Sequence, residues 1–393
     1  MREKKLRVFN VWHIGAWNRN VGDWALAYQM HRLLNEQART RNLHLTFYLV
    51  DSQRTFFHPA MVDQINEEAD LVLVGGGGLI FFRPEDQSVS GWSFNIAPSD
   101  LDRIRCPIVV YGIGYNKFLY DQNEFPEVTD RHLRQLQSRA KLFSVRNYGT
   151  RQILIEQFGL NAQSIEVIPD AGVCLYDRPI EIPARSKNKP VIAINWAGDR
   201  PHFRYPVPAE ENARHFMDVV KTGLLRCVKE LDAQIMFLPH LLHVDSDCYK
   251  EFSEGFPSGS MFATHEELPF LYPPPGEILY PHVPFFTNIY RQADLVIGMR
   301  LHACVLAFGA ETKFIPLGSH PKLRYFLQDV NVPDYSVALV DRQEDTADRV
   351  FEKIRSCLRD EKYDECLKRS LTAQLQRLRA FNERLLDVLD VKP

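Results

Sequence analysis

The stretch Asp294-Leu295-Val296-Ile297-Gly298-Met299-Arg300-Leu301-His302-Ala303-Cys304-Val305-Leu306-Ala307 decides the reading of this chain. A short apolar run with β-branched residues fits a strand buried on both faces, the habit of parallel sheets covered by helices. The run ends in a cation and an imidazole, and a second apolar stretch of helical length follows. In such βα units ligands gather beyond the carboxyl ends of the strands. Arg300 and His302 therefore stand at a helix start, where the macrodipole favours negative charge and a histidine can exchange a proton near neutral pH. Local sequence leaves an equal alternative, in which His302 caps the helix and Arg300 pairs with a carboxylate.

The same alternation extends in both directions. Upstream, strands are expected at 6–12, 43–50, 70–74, 107–112, 142–146 and 165–168. Between the first two, Trp24, Ala27, Tyr28, Met30, Leu33 and Leu34 mark an amphipathic helix, with Asp23 placed to cap it. A polar, proline-bounded stretch at 176–190 reads as a linker. Beyond it the pattern restarts, with strands at 191–196, 234–238, 295–299 and 313–317 and a helix at about 210–231. Leucines at 367, 371, 375, 378, 385 and 389, with Phe381, space a final amphipathic helix. The segment 256–284 carries seven prolines and reads as an irregular lid or acceptor-binding arm. The fold class is thus α/β, with two Rossmann-like doubly wound domains, 1–180 and 181–393, facing a central cleft.

Bulk properties narrow the function. A length of 393 residues with 45% hydrophobic content suits two cores better than one. A net charge of -3, from 47 basic and 50 acidic side chains, supplies no field to recruit nucleic acid. No apolar run reaches the roughly 18 residues of a membrane span, and the charged start lacks a signal-peptide pattern. The expected location is the cytoplasm, with any membrane contact peripheral. Seven scattered cysteines without a Cys-x-x-Cys pair argue for reduced thiols rather than disulfides or thiolate zinc.

The turns after the strands hold the remaining candidates. Gly15 to Asp23 is a glycine-punctuated loop opening a helix, suited to an anion unless Asp23 fills that role as a cap. Gly75-Gly76-Gly77-Gly78 lets a ligand or another chain approach the backbone, and it is neither a dinucleotide fingerprint nor a P-loop. Gly112-Ile113-Gly114 carries the same ambiguity. Arg146 ends a strand, as an ion-pair partner or as a bidentate clamp. Asn195 to Tyr205, with Arg204, follows the first strand of the second half. Pro239 to Asp245, with His240 and His243, follows the second, and its spacing matches no metal motif.

Taken together, these turns resemble the polysaccharide pyruvyl transferase family. The resemblance rests on Asn20-x-Gly22-Asp23-x-Ala25, Asp70 to Leu79, Gly112-Ile113-Gly114, Ser144-Val145-Arg146, Pro169-Asp170, Arg300-Leu301-His302-Ala303 and Pro321-Lys322, in that order. It implies a GT-B-like pair of Rossmann-like domains and transfer of a pyruvyl group from phosphoenolpyruvate to a sugar. The product would be a pyruvate ketal with phosphate released, as in exopolysaccharide and cell-envelope precursors. It implies no cofactor, neither metal nor nicotinamide, and a sugar acceptor linked to a lipid or a nucleotide. Phosphoenolpyruvate carries a phosphate and a carboxylate, for which planar guanidinium forks are natural clamps. Arg300 and Arg146, with Arg204, Gly76, Gly77 and His240, are the expected substrate-binding residues. His302 is the expected acid and base, assisted by Asp23. The competing expectation is a GT-B-type glycosyltransferase with a nucleotide-sugar donor, since one fold serves both. A sugar-binding protein without chemistry is the third.

Overall fold

The structure is a computed structural model that describes residues 5–17, 20–272, 279–318 and 320–390. The first sheet is parallel throughout, in the order β2-β1-β3-β4-β5-β6. Its strands are β1 (Arg7–Gly15), β2 (Leu43–Asp51), β3 (Leu71–Gly75), β4 (Ile108–Ile113), β5 (Ala140–Val145) and β6 (Glu166–Val167). The second sheet is β11-β10-β7-β8-β9, also parallel. It contains β7 (Val191–Asn195), β8 (Gln234–Phe237), β9 (Met261–Ala263), β10 (Leu295–Gly298) and β11 (Lys313–Pro316). β3 and β10 are buried along their whole length, which is why both read as unbroken apolar runs rather than alternating ones.

The strand orders fix where a ligand belongs. In the first sheet β1 and β3 are neighbours whose chain connections leave in opposite directions, and β7 and β10 play that part in the second. Such switch points open a crevice at the carboxyl ends of the strands. The turns after β1 and β3 carry Asp23 and the four glycines, and those after β7 and β10 carry Arg204, Arg300 and His302.

Several local expectations need correction. Asn20, not Asp23, caps the Val21–Thr40 helix, accepting a bond from the Gly22 N–H, and Asp23 lies inside the first turn. The proline-rich 256–284 segment is not wholly irregular. It contributes the edge strand β9, the short helix Thr264–Glu267 and the start of the Val283–Tyr290 helix. Phe262, Leu268, Leu271, Tyr272 and Leu279 of this segment are buried in the second core. Its Pro273, Pro274 and Pro275 lie outside the described residues, as do Asn18 and Arg19 of the first loop.

Between the sheets, residues 176–190 form neither helix nor strand. The last helix, Glu361–Asp390, spans both packing units. Leu367 and Leu371 join the core around the second sheet, while Leu378, Phe381, Leu385, Leu386 and Leu389 pack under the first. At about 1.5–3 kcal/mol per fully buried large side chain, those five contacts clamp the two units firmly. Among the described residues no helix is long and apolar enough to cross a membrane.

Candidate active site

A cavity of about 400 Å³ lies between the facing carboxyl ends of the two sheets. Among the described residues its lining includes Arg54, Arg83, Arg146, Arg200, Arg204, Arg300 and Lys322, against two carboxylates, Asp23 and Asp199. Seven cations round so small a space select an anion.

His302 occupies the first turn of the Leu301–Gly309 helix and is 7% exposed. Its Nδ1 lies 3.6 Å from Asp23 Oδ1 and its Nε2 3.3 Å from Asp170 Oδ2. The second approach is an ion-pair distance but falls outside the angles of a hydrogen bond. Asp170 is itself pinned, accepting from the Gly172 N–H at 3.0 Å and lying 3.4 Å from Arg146 Nη1. Burial works against its charge, yet His302 and Arg146 outweigh burial and hold its pKa below the ordinary carboxylate value. One buried carboxylate thus ties the imidazole of the second half to the arginine of the first.

Arg300 is held more tightly than a free clamp would be. Its Nε and Nη2 bond Asp245 at 3.0 and 2.6 Å, and Nη2 also bonds Asp199 at 2.9 Å. Burial opposes its charge, but these two carboxylates raise its pKa above the ordinary arginine value. Arg300 therefore pairs with carboxylates, as one branch of the local alternative has it, and it also lines the cavity. Arg204 donates to the Asp199 carbonyl at 2.8 Å and to its carboxylate at 3.0 Å, with its guanidinium 5.0 Å from the centre of the Phe118 ring. Burial raises the Asp199 pKa less than Arg204, Arg300 and Arg200 lower it, so it stays ionised far below the usual range.

Lys322 donates to Asn116 Oδ1 at 2.8 Å and faces the same cavity. Burial, reinforced by Arg146 and Arg204, pushes it well below the ordinary lysine value. Such a lysine gains most when an anion comes beside it.

The glycines of the sequence motifs act chiefly as seats. A Cβ on Gly22 would lie 2.4 Å from His302 Cβ and 2.5 Å from its Nδ1. One on Gly114 would lie 2.2 Å from Arg146 Nε, and one on Gly78 2.8 Å from Cγ of Asn116, which holds Lys322. Gly76 and Gly77 have left-handed backbones with φ of +72° and +79° and face the Val21–Thr40 helix, Gly76 against Leu26 and Gly77 beside Asp23. Of the four, Gly78 lines the main cavity, and Gly76 and Gly77 do not.

His240 also stands apart. It is wholly buried, with Nε2 against the Tyr290 hydroxyl and its backbone N–H on Asp245, so it supports the loop that holds Arg300. Its neighbour His243 reaches the cavity instead. Asp170 and Lys322 were legible as motif members but carried no sequence signal of their role. Asp199, Arg200 and Asp245 lay within candidate turns but carried no sequence signal of their role, and Arg83 and Phe118 could be placed at the site only by the tertiary structure.

Two parallel sheets with a polar cleft at their facing carboxyl ends define a GT-B-like α/β protein. The solved structure of S. aureus MnaA with UDP has a TM-score of 0.56 at 13% identity, covering 98% of this chain and 99% of that one. A putative UDP-N-acetylglucosamine 2-epimerase from Listeria monocytogenes gives 0.55 at 12%, covering 91% and 90%. The Neisseria meningitidis UDP-GlcNAc 2-epimerase bound to UDP-GlcNAc gives 0.54 at 9%, covering 98% and 100%. At such identities the likeness is one of fold. No curated protein matches the chain. The family model for polysaccharide pyruvyl transferase matches residues 20–321, and the chain belongs to that transferase family.

Proposed function

We propose that this protein transfers the pyruvyl group of phosphoenolpyruvate to two hydroxyls of one sugar, forming a pyruvate ketal and releasing phosphate. The observation that carries the reading is His302, held between Asp170 and Asp23 at the wall of a cavity lined mostly by cations. The first sugar hydroxyl adds to C2 of the donor while C3 takes up a proton and becomes a methyl group. Phosphate then leaves and the second hydroxyl closes the ketal. Two hydroxyl protons are given up, one ending on the methyl carbon and the other on the departing phosphate. His302 moves these protons, and Asp23, 3.6 Å from its Nδ1, orients the acceptor hydroxyl. Arg146, Arg300 and Lys322 hold the donor's carboxylate and phosphate and stabilise the charge that develops on the leaving group.

The acceptor is a sugar linked to a nucleotide or a lipid. The UDP in the S. aureus MnaA structure supports keeping nucleotide-linked sugars among the acceptors tried. A peripheral seat at the inner face of the membrane would serve a lipid-linked one. The test is to incubate the protein with phosphoenolpyruvate and a panel of such sugars, following phosphate release and a ketal's mass gain on the acceptor. Turnover that requires a nucleotide-sugar donor and ignores phosphoenolpyruvate would replace this reading with glycosyl transfer.

A further inference from the structure

The cavity carries more positive charge than the donor needs. Its deep arginines are matched: Arg146 by Asp170, Arg204 by Asp199, and Arg300 by Asp245 and Asp199. Lys322 and His302 then suffice beside them for a phosphate and a carboxylate. The cations nearer the mouth are matched poorly. No carboxylate lies within ion-pair distance of Arg83 among the described residues. Arg200 reaches Asp199 only at 3.9 Å, and Arg54 reaches Asp51 at 3.6 Å with its side chain 77% exposed.

Two of these outer arginines, Arg83 and Arg200, are nonetheless held against a buried ring. The guanidinium carbons of Arg83 and Arg200 lie 5.0 and 5.2 Å from the centre of Phe81, which is 6% exposed. Ring contacts of this kind fix the direction of a guanidinium and leave its N–H edge to other partners. Burial and then the nearby charge of Arg83 lower the pKa of Arg200, the mark of like charges held together at a cost that an anion relieves. A second pocket of about 150 Å³ continues from this point and shares Gln53, Arg54, Phe81 and Arg83 with the main cavity. Ser52 lines it, 2% exposed, with an Oγ that has no hydrogen-bond partner among the described residues.

We propose that Arg83 and Arg200, arranged around Phe81, form with Arg54 on the shared pocket wall a second anion subsite that takes the diphosphate of a diphosphate-linked acceptor while the donor occupies the ground around His302 and Lys322. The proposal rests on the pyruvyl-transfer reading for the acceptor's role, and on the charge distribution for the site itself. Two polyanions then sit side by side, each on its own arginines, which keeps the donor from being displaced by the acceptor.

Calorimetry on the intact protein tests this without turnover. The probes are inorganic pyrophosphate, UDP and farnesyl diphosphate, each with and without saturating phosphoenolpyruvate, with sulfate as the control anion. The expected result is one diphosphate bound alongside phosphoenolpyruvate, with affinity about tenfold weaker in Arg83→Gln and in Arg200→Gln, as loss of a charge-assisted hydrogen bond implies. Melting temperatures of both variants should stay near wild type, because Arg83 has no carboxylate in ion-pair reach among the described residues and Asp199 keeps Arg204 and Arg300 when Arg200 is replaced. UDP binding tighter than pyrophosphate assigns the diphosphate to a nucleotide carrier, and farnesyl diphosphate binding tighter assigns it to a lipid. Full competition between pyrophosphate and phosphoenolpyruvate, unchanged affinity in both variants, or equal binding of sulfate would overturn the proposal. If diphosphate binds as expected and phosphoenolpyruvate does not bind at all, the subsite stands and the pyruvyl reading falls.

Discussion

Asp170→Asn isolates the link between His302 and Arg146. The substitution keeps the shape of the side chain and an oxygen to accept from the Gly172 N–H, and removes only the charge. At 3.3 Å from Nε2, with an effective dielectric of about 20, Coulomb's law gives roughly 5 kcal/mol between the carboxylate and a protonated His302. Arg146 draws on the same oxygen from 3.4 Å, so about half of that is a fair share for the imidazole. A loss of about 2–3 kcal/mol in the step that charges His302 lowers kcat roughly 30- to 150-fold. KM for phosphoenolpyruvate should move little, because the donor's own charges meet an Arg146 freed of its partner. That freed guanidinium, 3% exposed, should cost about 3–5 kcal/mol of stability, partly recovered when phosphoenolpyruvate is added.

The pH dependence follows from the lowered pKa of Asp170. Stability gained from a carboxylate whose folded pKa is depressed is complete above its unfolded value and lost as pH falls through the folded one. The stability gap between wild type and variant should therefore be full at neutral pH and close below about pH 4. The assay is phosphate release under saturating donor, with thermal melts of both proteins across pH. A variant with kcat within about twofold of wild type, or with the whole loss in KM, would refute the positioning of His302 by Asp170.

Gly22→Ala places a methyl group 2.4 Å from His302 Cβ, so kcat should fall at least tenfold in the same phosphate-release assay while stability from thermal melts falls by only about 1–3 kcal/mol. Lys322→Met removes a cation already disfavoured by burial; KM for phosphoenolpyruvate should rise about tenfold with the melting temperature unchanged or higher. Arg300→Ala leaves the wholly buried Asp245 without its bidentate partner, and should lose about 3–5 kcal/mol in denaturant titration, so it reports on folding before donor binding. Burial raises Asp329 to about 7, against the bond from the Tyr148 N–H that lowers it. Stability from such a group is present below its unfolded pKa and lost as pH rises through 7, so Asp329→Asn should stabilise at pH 8 by about 1–3 kcal/mol and little at pH 4.

The sequence by itself determined the alternation of strands and helices, because strands buried on both faces must be apolar throughout, as Leu71 to Val74 and Leu295 to Ile297 are. It missed β9, whose three residues sit among prolines and are made a strand only by pairing with β8. It also singled out His302, Arg300 and Arg146, since a charged or titratable residue after a buried strand is a local pattern. Their partnerships were beyond it. Asp170 lies 132 positions before His302, and Asp245 lies 55 before Arg300. Which carboxylate meets which cation depends on how two sheets face one another, and no local spacing encodes that. The glycines make the same point: the sequence marks Gly22, Gly78 and Gly114 as places without a Cβ, and only the tertiary structure shows that what fills each gap is His302, Asn116 and Arg146.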